Sequence, residues 1–281
     1  MIGSTRGLRS VATMLARNAR SNLEHWLVFI AAPPPAKMLR PHLPAVAAAL
    51  ATLYVVVASM FALDAAASDW ANHLPQWIKS VFENITDFGL SGWFLIPFGF
   101  VLLCLAAVIS PSLPRMSRDV LTALAARFGF LFLAIGLPGL FDAIVKRMIG
   151  RARPTVGGHD DPFHYVPFIW RPEYASMPSG HATTVAAAAV AIGALWPRTQ
   201  WVMWFYAFTI MLSRVVVQAH HPSDVIAGGL VGAAGAYLLR RWFAGRRLLF
   251  CPWDLRPYPG PSLRRIVAAS RDALAALPTS R

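Results

Sequence analysis

The sequence predicts an all-α fold, a polytopic membrane bundle of six transmembrane helices, and three observations lead there. Of its 281 residues, 56% are hydrophobic and only 14% charged, a balance too apolar for an ordinary soluble domain. Six segments approach the roughly 20 apolar residues that a helix needs to cross a bilayer. The charges between those segments change sign from one loop to the next, as expected of loops on opposite faces of a membrane.

The six segments differ in character. Residues 43–63 and 89–110 carry no charge at all. Residues 120–145 form the third, with Arg127 near one end, able to snorkel, and Asp142 near the other. Residues 180–196, 201–213 and 222–239 are shorter and rich in Ala, Gly and Val, the composition of helices packed closely on other helices. The fifth falls short of a full span unless its helix runs past Arg214.

Net charge is +13, from 23 Arg and 3 Lys against 13 acidic residues. Most of the basic residues flank the apolar segments, in the first 40 residues and after Leu239, where they set topology by positive-inside bias and do not form a nucleic-acid surface. This divides the chain into a basic arm (residues 1–42), a six-span unit (43–239) and a basic tail (240–281). Asp64, Asp69, Glu83 and Asp87 occupy the intervening loops, so both termini are expected in the cytoplasm. The arm lacks the compact apolar stretch of a cleavable signal, and the first span is expected to act as a signal anchor. Leu8, Val11, Met14 and Leu15 lie on one side of a potential interfacial helix, and Pro33, Pro34 and Pro35 form a stiff break before the first span. Cys104 and Cys251 suggest no disulfide. The arginine-rich composition and modest size suggest a bacterial inner membrane.

One loop departs from the topology rule. Residues 146–177, expected outside, contain Lys146, Arg147, Arg151, Arg153 and Arg171, and binding an anion is the simplest reason to keep positive charge there. Hydropathy brings three clusters to that same face: residues 146–154 after the third span, 178–181 opening the fourth, and 214–224 joining the fifth to the sixth.

Together they contain what phosphoryl transfer requires: cations and amide donors for the equatorial oxygens, an in-line nucleophile, and an acid for the leaving oxygen. Lys146, Arg153 and Arg214 supply the cations. Ser179 occupies a helix-cap position, and the free amides of Gly180 and His181 would point at the anion. His220 and Asp224 are four apart and share a helical face, so the carboxylate is expected to bond one ring nitrogen and free the other to attack phosphorus. His181 would protonate the leaving oxygen and later activate water. Asp142, one turn before Lys146, is expected to orient the lysine.

Lys146-x6-Arg153-Pro154, Pro178-Ser179-Gly180-His181 and Ser213-Arg214-x5-His220-x3-Asp224 resemble the three-part signature of the type-2 phosphatidic acid phosphatase superfamily. The superfamily includes lipid phosphate and undecaprenyl diphosphate phosphatases, lipid A phosphatases, glucose 6-phosphatase, soluble acid phosphatases and vanadium haloperoxidases. The resemblance covers about half of the chain. It implies His220 as nucleophile, Asp224 as its orienting partner and His181 as general acid and base. Lys146, Arg153, Ser179, Gly180 and Arg214 then hold the phosphate, with a covalent intermediate and no metal or cofactor.

The site is expected at the outer membrane–water boundary, where a lipid headgroup enters sideways. That favours a lipid phosphate substrate, with membrane lipids as further partners and no nucleic acid. A prenyl diphosphate, phosphatidylglycerophosphate, phosphatidate and lipid A phosphate are all open, with a slight preference for the first. A metal site built from His159, Asp160, Asp161 and His164 with His220 and His221 matches no ligand spacing; that loop is expected to shape the entrance. Two other functions share the same features: lipid phosphotransfer on this scaffold, and anion transport.

Overall fold

The computed structural model describes residues 2–32, 43–156 and 161–277. The proline break, His159 and Asp160 lie outside the described residues, as does the side chain of Leu8. Among the described residues the regular structure is helical, in the order α1 (Ile2–Ala31), α2 (Leu43–Ala62), α3 (Asp64–Asn72), α4 (Gln76–Thr86), α5 (Gly92–Val108), α6 (Arg115–Ile149), α7 (Gly180–Leu195), α8 (Gln200–Val216), α9 (Pro222–Gly245) and α10 (Leu263–Ala275). Every segment expected to span lies on one of these helices. The short fifth segment continues past Arg214 to Val216, but at 17 residues its helix still falls short of the roughly 20 of a full span.

Among the described residues three helices are long and apolar enough to cross a membrane: α6, α9, and a continuous run from Gln76 to Val108 through α4 and α5. The pair Val46–Ala62 and Asp64–Asn72, bent by 47°, has the length and composition of a fourth when taken together, as a broken span or a re-entrant loop. At 1.5 Å per residue the 35 residues of α6 measure about 50 Å, well beyond a hydrocarbon core of about 30 Å.

The chain divides into two compact units. The first comprises residues 1–35, 96–130 and 243–281. Its core gathers Leu105, Ile109, Leu113, Val120 and Leu121 with Ala269 and Ala273 of α10, and Trp26 of α1 packs against it. Val11, Met14 and Leu15 are half-buried on α1, so this amphipathic face is partly covered by protein. Asn18 and Asn22 on the same helix donate to the carbonyls of Ala106, Ala107 and Ile109, supplying donors to the unpaired last turn of α5. Phe130 is sealed between Phe243 and Phe250, with ring centroids 5.3 and 5.0 Å away.

The second unit, residues 36–95 and 131–242, holds the three motifs. Its centre is α7, whose residues Ala182 to Ala189 are all buried. Small side chains allow this: a Cβ on Gly232 would stand 2.1 Å from the Thr183 carbonyl oxygen, and one on Gly228 would stand 2.4 Å from that of Ser179. Helices α7 and α9 thus touch backbone to backbone, as small residues permit in membrane bundles. Leu53, Trp93, Trp201 and Phe205 are exposed, an apolar surface suited to lipid.

Candidate active site

Chain direction builds the site. Helix α6 ends with Lys146 in its last turn and α8 ends with Arg214 in its last turn, while α7 begins at Gly180 and α9 at Pro222. Two helix C-termini and two N-termini therefore meet, with the 150–179 and 217–221 loops between them. Lys146, Arg153, Arg214 and His220 all act electrostatically on His181, and Arg153 and Arg214 act on His220. All three motifs thus come together within one unit.

His220 is almost fully buried, and its Nδ1 lies 2.8 Å from the main-chain carbonyl of Ser176. A carbonyl only accepts, so Nδ1 carries the proton and Nε2 keeps its lone pair. Here the expectation of a direct carboxylate partner needs correction. Oδ2 of Asp224 stands 3.9 Å from Nδ1 and accepts instead from the Ser176 hydroxyl at 2.6 Å and the His221 amide at 2.9 Å. The segment just before α7 has inserted Ser176 between the two side chains expected to pair. Burial pushes the His220 pKa down to about 4, although Asp224 opposes the shift.

Around the imidazole, each phosphate-binding candidate has an identifiable support. Lys146 is held by Asp142 at 2.6 Å, the pairing anticipated from their spacing, and a Cβ on Gly180 would stand 3.1 Å from the lysine Nζ. Glycine here leaves room for the ammonium. Arg214 donates to Thr86 Oγ1 at 2.7 Å. Burial lowers the pKa of Arg153 from its ordinary value, and its backbone amide is tied to the Glu173 carbonyl at 2.9 Å. Ser179 adopts an extended N-cap conformation, but its hydroxyl makes no cap bond; it is fully buried with no protein partner. A buried hydroxyl without a partner is costly unless a ligand satisfies it. The first-turn amides of α7 are also free of intrahelical acceptors, as in any helix.

The five cations of residues 146–177 separate. Arg147 lies over the Trp170 ring at 5.6 Å, Arg171 pairs with Glu173 at 3.5 Å, and Arg151 is wholly buried between carboxylates. For Arg151 an anion-binding role is overturned: Nη1 donates to Asp224 and Nη2 to Asp64. Burial disfavours its charged form, but the two acids outweigh burial and raise its pKa. Asp64, expected as a loop charge, is fully buried instead.

Sequence reasoning missed Asp64, Thr86, Gly89, Ser176 and Ser223. One signal was available: Asp64 is the first charge after an uncharged span, and an acid at the end of such a segment calls for a partner. Gly89 had no such signal. A Cβ there would stand 2.5 Å from Ile210 Cγ2 and 2.8 Å from His181 Cδ2, so glycine is what lets the 3₁₀ turn Asp87–Gly89 pack on the catalytic candidate.

Comparison with known proteins gives the family. Residues 127–248 match the family model of the PAP2 superfamily. The lipid A 1-phosphatase of Rhizobium johnstonii is 35% identical over 217 residues, covering 76% of this chain and 86% of that protein. The undecaprenyl-diphosphatase of Sulfolobus acidocaldarius is 31% identical over 109 residues, 37% of this chain and 53% of that one. A crystal structure of a transmembrane PAP2 type phosphatidylglycerolphosphate phosphatase from Bacillus subtilis aligns with a TM-score of 0.47 and 23% identity, over 69% of this chain and 93% of the other. With a relative 35% identical and matched across most of both chains, the chain belongs to the PAP2 superfamily.

Proposed function

We propose that this chain, by its family a membrane lipid phosphatase, hydrolyses its substrate through a phosphohistidine on His220. Nε2 attacks phosphorus, and a P–N bond forms as the bond to the lipid oxygen breaks. His181 gives that oxygen a proton. Water then attacks the phosphohistidine while His181 takes the water proton, the P–N bond breaks, and inorganic phosphate leaves. Lys146, Arg153, Arg214, the Ser179 hydroxyl and the amides of Gly180 and His181 bear the charge on the equatorial oxygens. One observation carries this reading: a buried neutral imidazole, its proton committed to the Ser176 carbonyl, is a preformed nucleophile.

The substrate we favour is a saccharide-linked lipid phosphate of the lipid A kind, ahead of a prenyl diphosphate, because the relative matched over most of both chains is a lipid A 1-phosphatase. The experiment is a phosphate-release panel in mixed micelles with lipid A, undecaprenyl diphosphate, phosphatidylglycerophosphate and phosphatidate, and with glucose 6-phosphate as soluble control. Turnover of lipid A at least about tenfold above the others is expected; equal or greater turnover of the prenyl diphosphate reverses the order. Activity should survive EDTA and fall with vanadate, and loss on chelation would count against a cradle made of side-chain cations alone.

For topology we propose six crossings, the site on the outer face of an inner membrane, and both termini in the cytoplasm. The alternation of helix ends around the site and the basic residues of arm and tail support this. Reporter fusions at Arg198 and after Gly245 should read cytoplasmic and one at Asp161 should read external; any other pattern rejects the arrangement.

A further inference from the structure

Behind His220 lies a second layer of polar groups that the phosphatase mechanism does not call for. Asp64, Arg151 and Asp224 are each fully buried, and they form a chain of carboxylate, guanidinium and carboxylate. Arg151 Nη1 lies 2.6 Å from Asp224 Oδ1, and Nη2 lies 2.7 Å from Asp64 Oδ2. Ser223 joins the two ends: its hydroxyl accepts from Arg151 at 2.7 Å and donates to Asp64 Oδ2 at 2.5 Å, and its amide donates to Asp64 Oδ1 at 2.9 Å. The remaining guanidinium hydrogens go to the Pro162 carbonyl. Both acids sit at the amino end of α9, where the helix dipole favours negative charge.

We propose that Asp64 and Arg151 are positioning residues for the nucleophile, acting through Asp224 and Ser176. Arg151 occupies Oδ1 of Asp224, which leaves Oδ2 to receive the Ser176 hydroxyl; that bond fixes the residue whose carbonyl holds Nδ1 of His220. Asp64 has a second task. Arg151 paired with Asp224 alone is neutral and would cancel the field that stabilises a positive imidazole. Two carboxylates around one guanidinium leave a net charge of about −1 behind the ring, which opposes the positive charge that His220 gains when Nε2 binds phosphorus. Because the charges are buried and fully hydrogen-bonded, the field is weakly screened. The bend between α2 and α3 places Asp64 at this position, giving the break in that helix a function.

This inference rests on the phosphohistidine reading, and a double-mutant cycle tests it separately. Full-length Asp64→Asn, Asp224→Asn and the double variant are assayed in detergent on the lipid hydrolysed fastest in the panel. Inorganic phosphate serves as competitive inhibitor to report the cradle. Asp64→Asn should lower kcat by about 10- to 100-fold with KM and the phosphate Ki within about threefold of the parent. In the Asp224→Asn background the same change should cost much less, a non-additivity of at least about fivefold. A smaller coupling, or KM and Ki rising in step with the loss, overturns the proposal. If Asp64→Asn does not fold, the cycle is run with Ser223→Ala, which removes one of the Asp64 bonds, under the same criteria. An active His220→Ala would defeat the underlying reading itself, whereas an inactive His220→Ala with an additive cycle defeats only the relay.

Discussion

The Ser176 carbonyl stands 2.8 Å from Nδ1 of His220, whereas Oδ2 of the Asp224 carboxylate stands 3.9 Å away. The tautomer of the nucleophile is therefore set by a main-chain atom, and the carboxylate works one step further back. This ordering changes what individual substitutions should do.

His220→Ala should leave no turnover above background, since Nε2 of His220 is the proposed site of the covalent intermediate. Asp224→Asn should retain more activity than in a triad whose carboxylate bonds the histidine directly, where the loss is about 10⁴-fold; a fall of roughly 10²-fold in kcat is expected here. Phosphate-release rates, together with alkaline-quenched labelling from radiolabelled lipid phosphate, check both variants. An Asp224→Asn loss as large as that of His220→Ala contradicts the Ser176 geometry.

Acid should inactivate the enzyme late. The nucleophile works only when neutral, and burial has lowered the His220 pKa from 6.5 to about 4. Activity assigned to this group is present above that value and lost as pH falls through about 4. Stability runs in the same direction: the unfolded chain takes up the proton first, so this group's contribution is complete above pH 6.5 and declines as pH drops towards 4. A kcat profile from pH 3.5 to 8 is the measurement, and an acid limb centred near 6.5 would mean a solvated imidazole.

Ser179→Ala separates substrate binding from folding. Its buried hydroxyl has no protein partner, so its removal should leave the melting temperature unchanged or slightly raised. A hydrogen bond to a charged phosphate contributes about 1.5–3 kcal/mol, so kcat/KM should fall by roughly 10- to 150-fold. A clear drop in thermal stability would mean that the hydroxyl supports the fold.

Gly232→Ala should do the reverse. The added methyl would meet the Thr183 carbonyl oxygen at 2.1 Å, a backbone atom that cannot swing aside, so α7 and α9 must separate. Overpacking of this kind costs about 1–3 kcal/mol. Lower thermal stability in detergent should accompany the change, and an unaltered melting curve would show that the two helices have room to part.

The motif residues and helices were legible in the sequence for different reasons. An uncharged run of about 20 residues has few alternatives to a membrane helix, so residues 43–63 and 89–110 announced themselves. His220, His181, Arg214 and Lys146 stood out because they are the residue types phosphoryl transfer uses and because their spacing resembles the three-part signature. Asp64 and Arg151 resembled ordinary loop charges, since nothing local distinguishes a solvated acid from one sealed against an arginine 87 residues away. Thr86 and Gly89 were equally silent, because each matters only through a neighbour on another helix.

By itself, then, the sequence determined the helical fold and offered the candidate reacting groups with the helix ends they lie on, since hydropathy and motif spacing are properties of short stretches of chain. Only the tertiary structure decided which charges face the substrate and which are buried against each other, and that Ser176, not Asp224, holds the His220 proton. Those outcomes depend on contacts of 2.6 to 2.8 Å between segments remote in sequence, and such contacts exist only once the helices have packed.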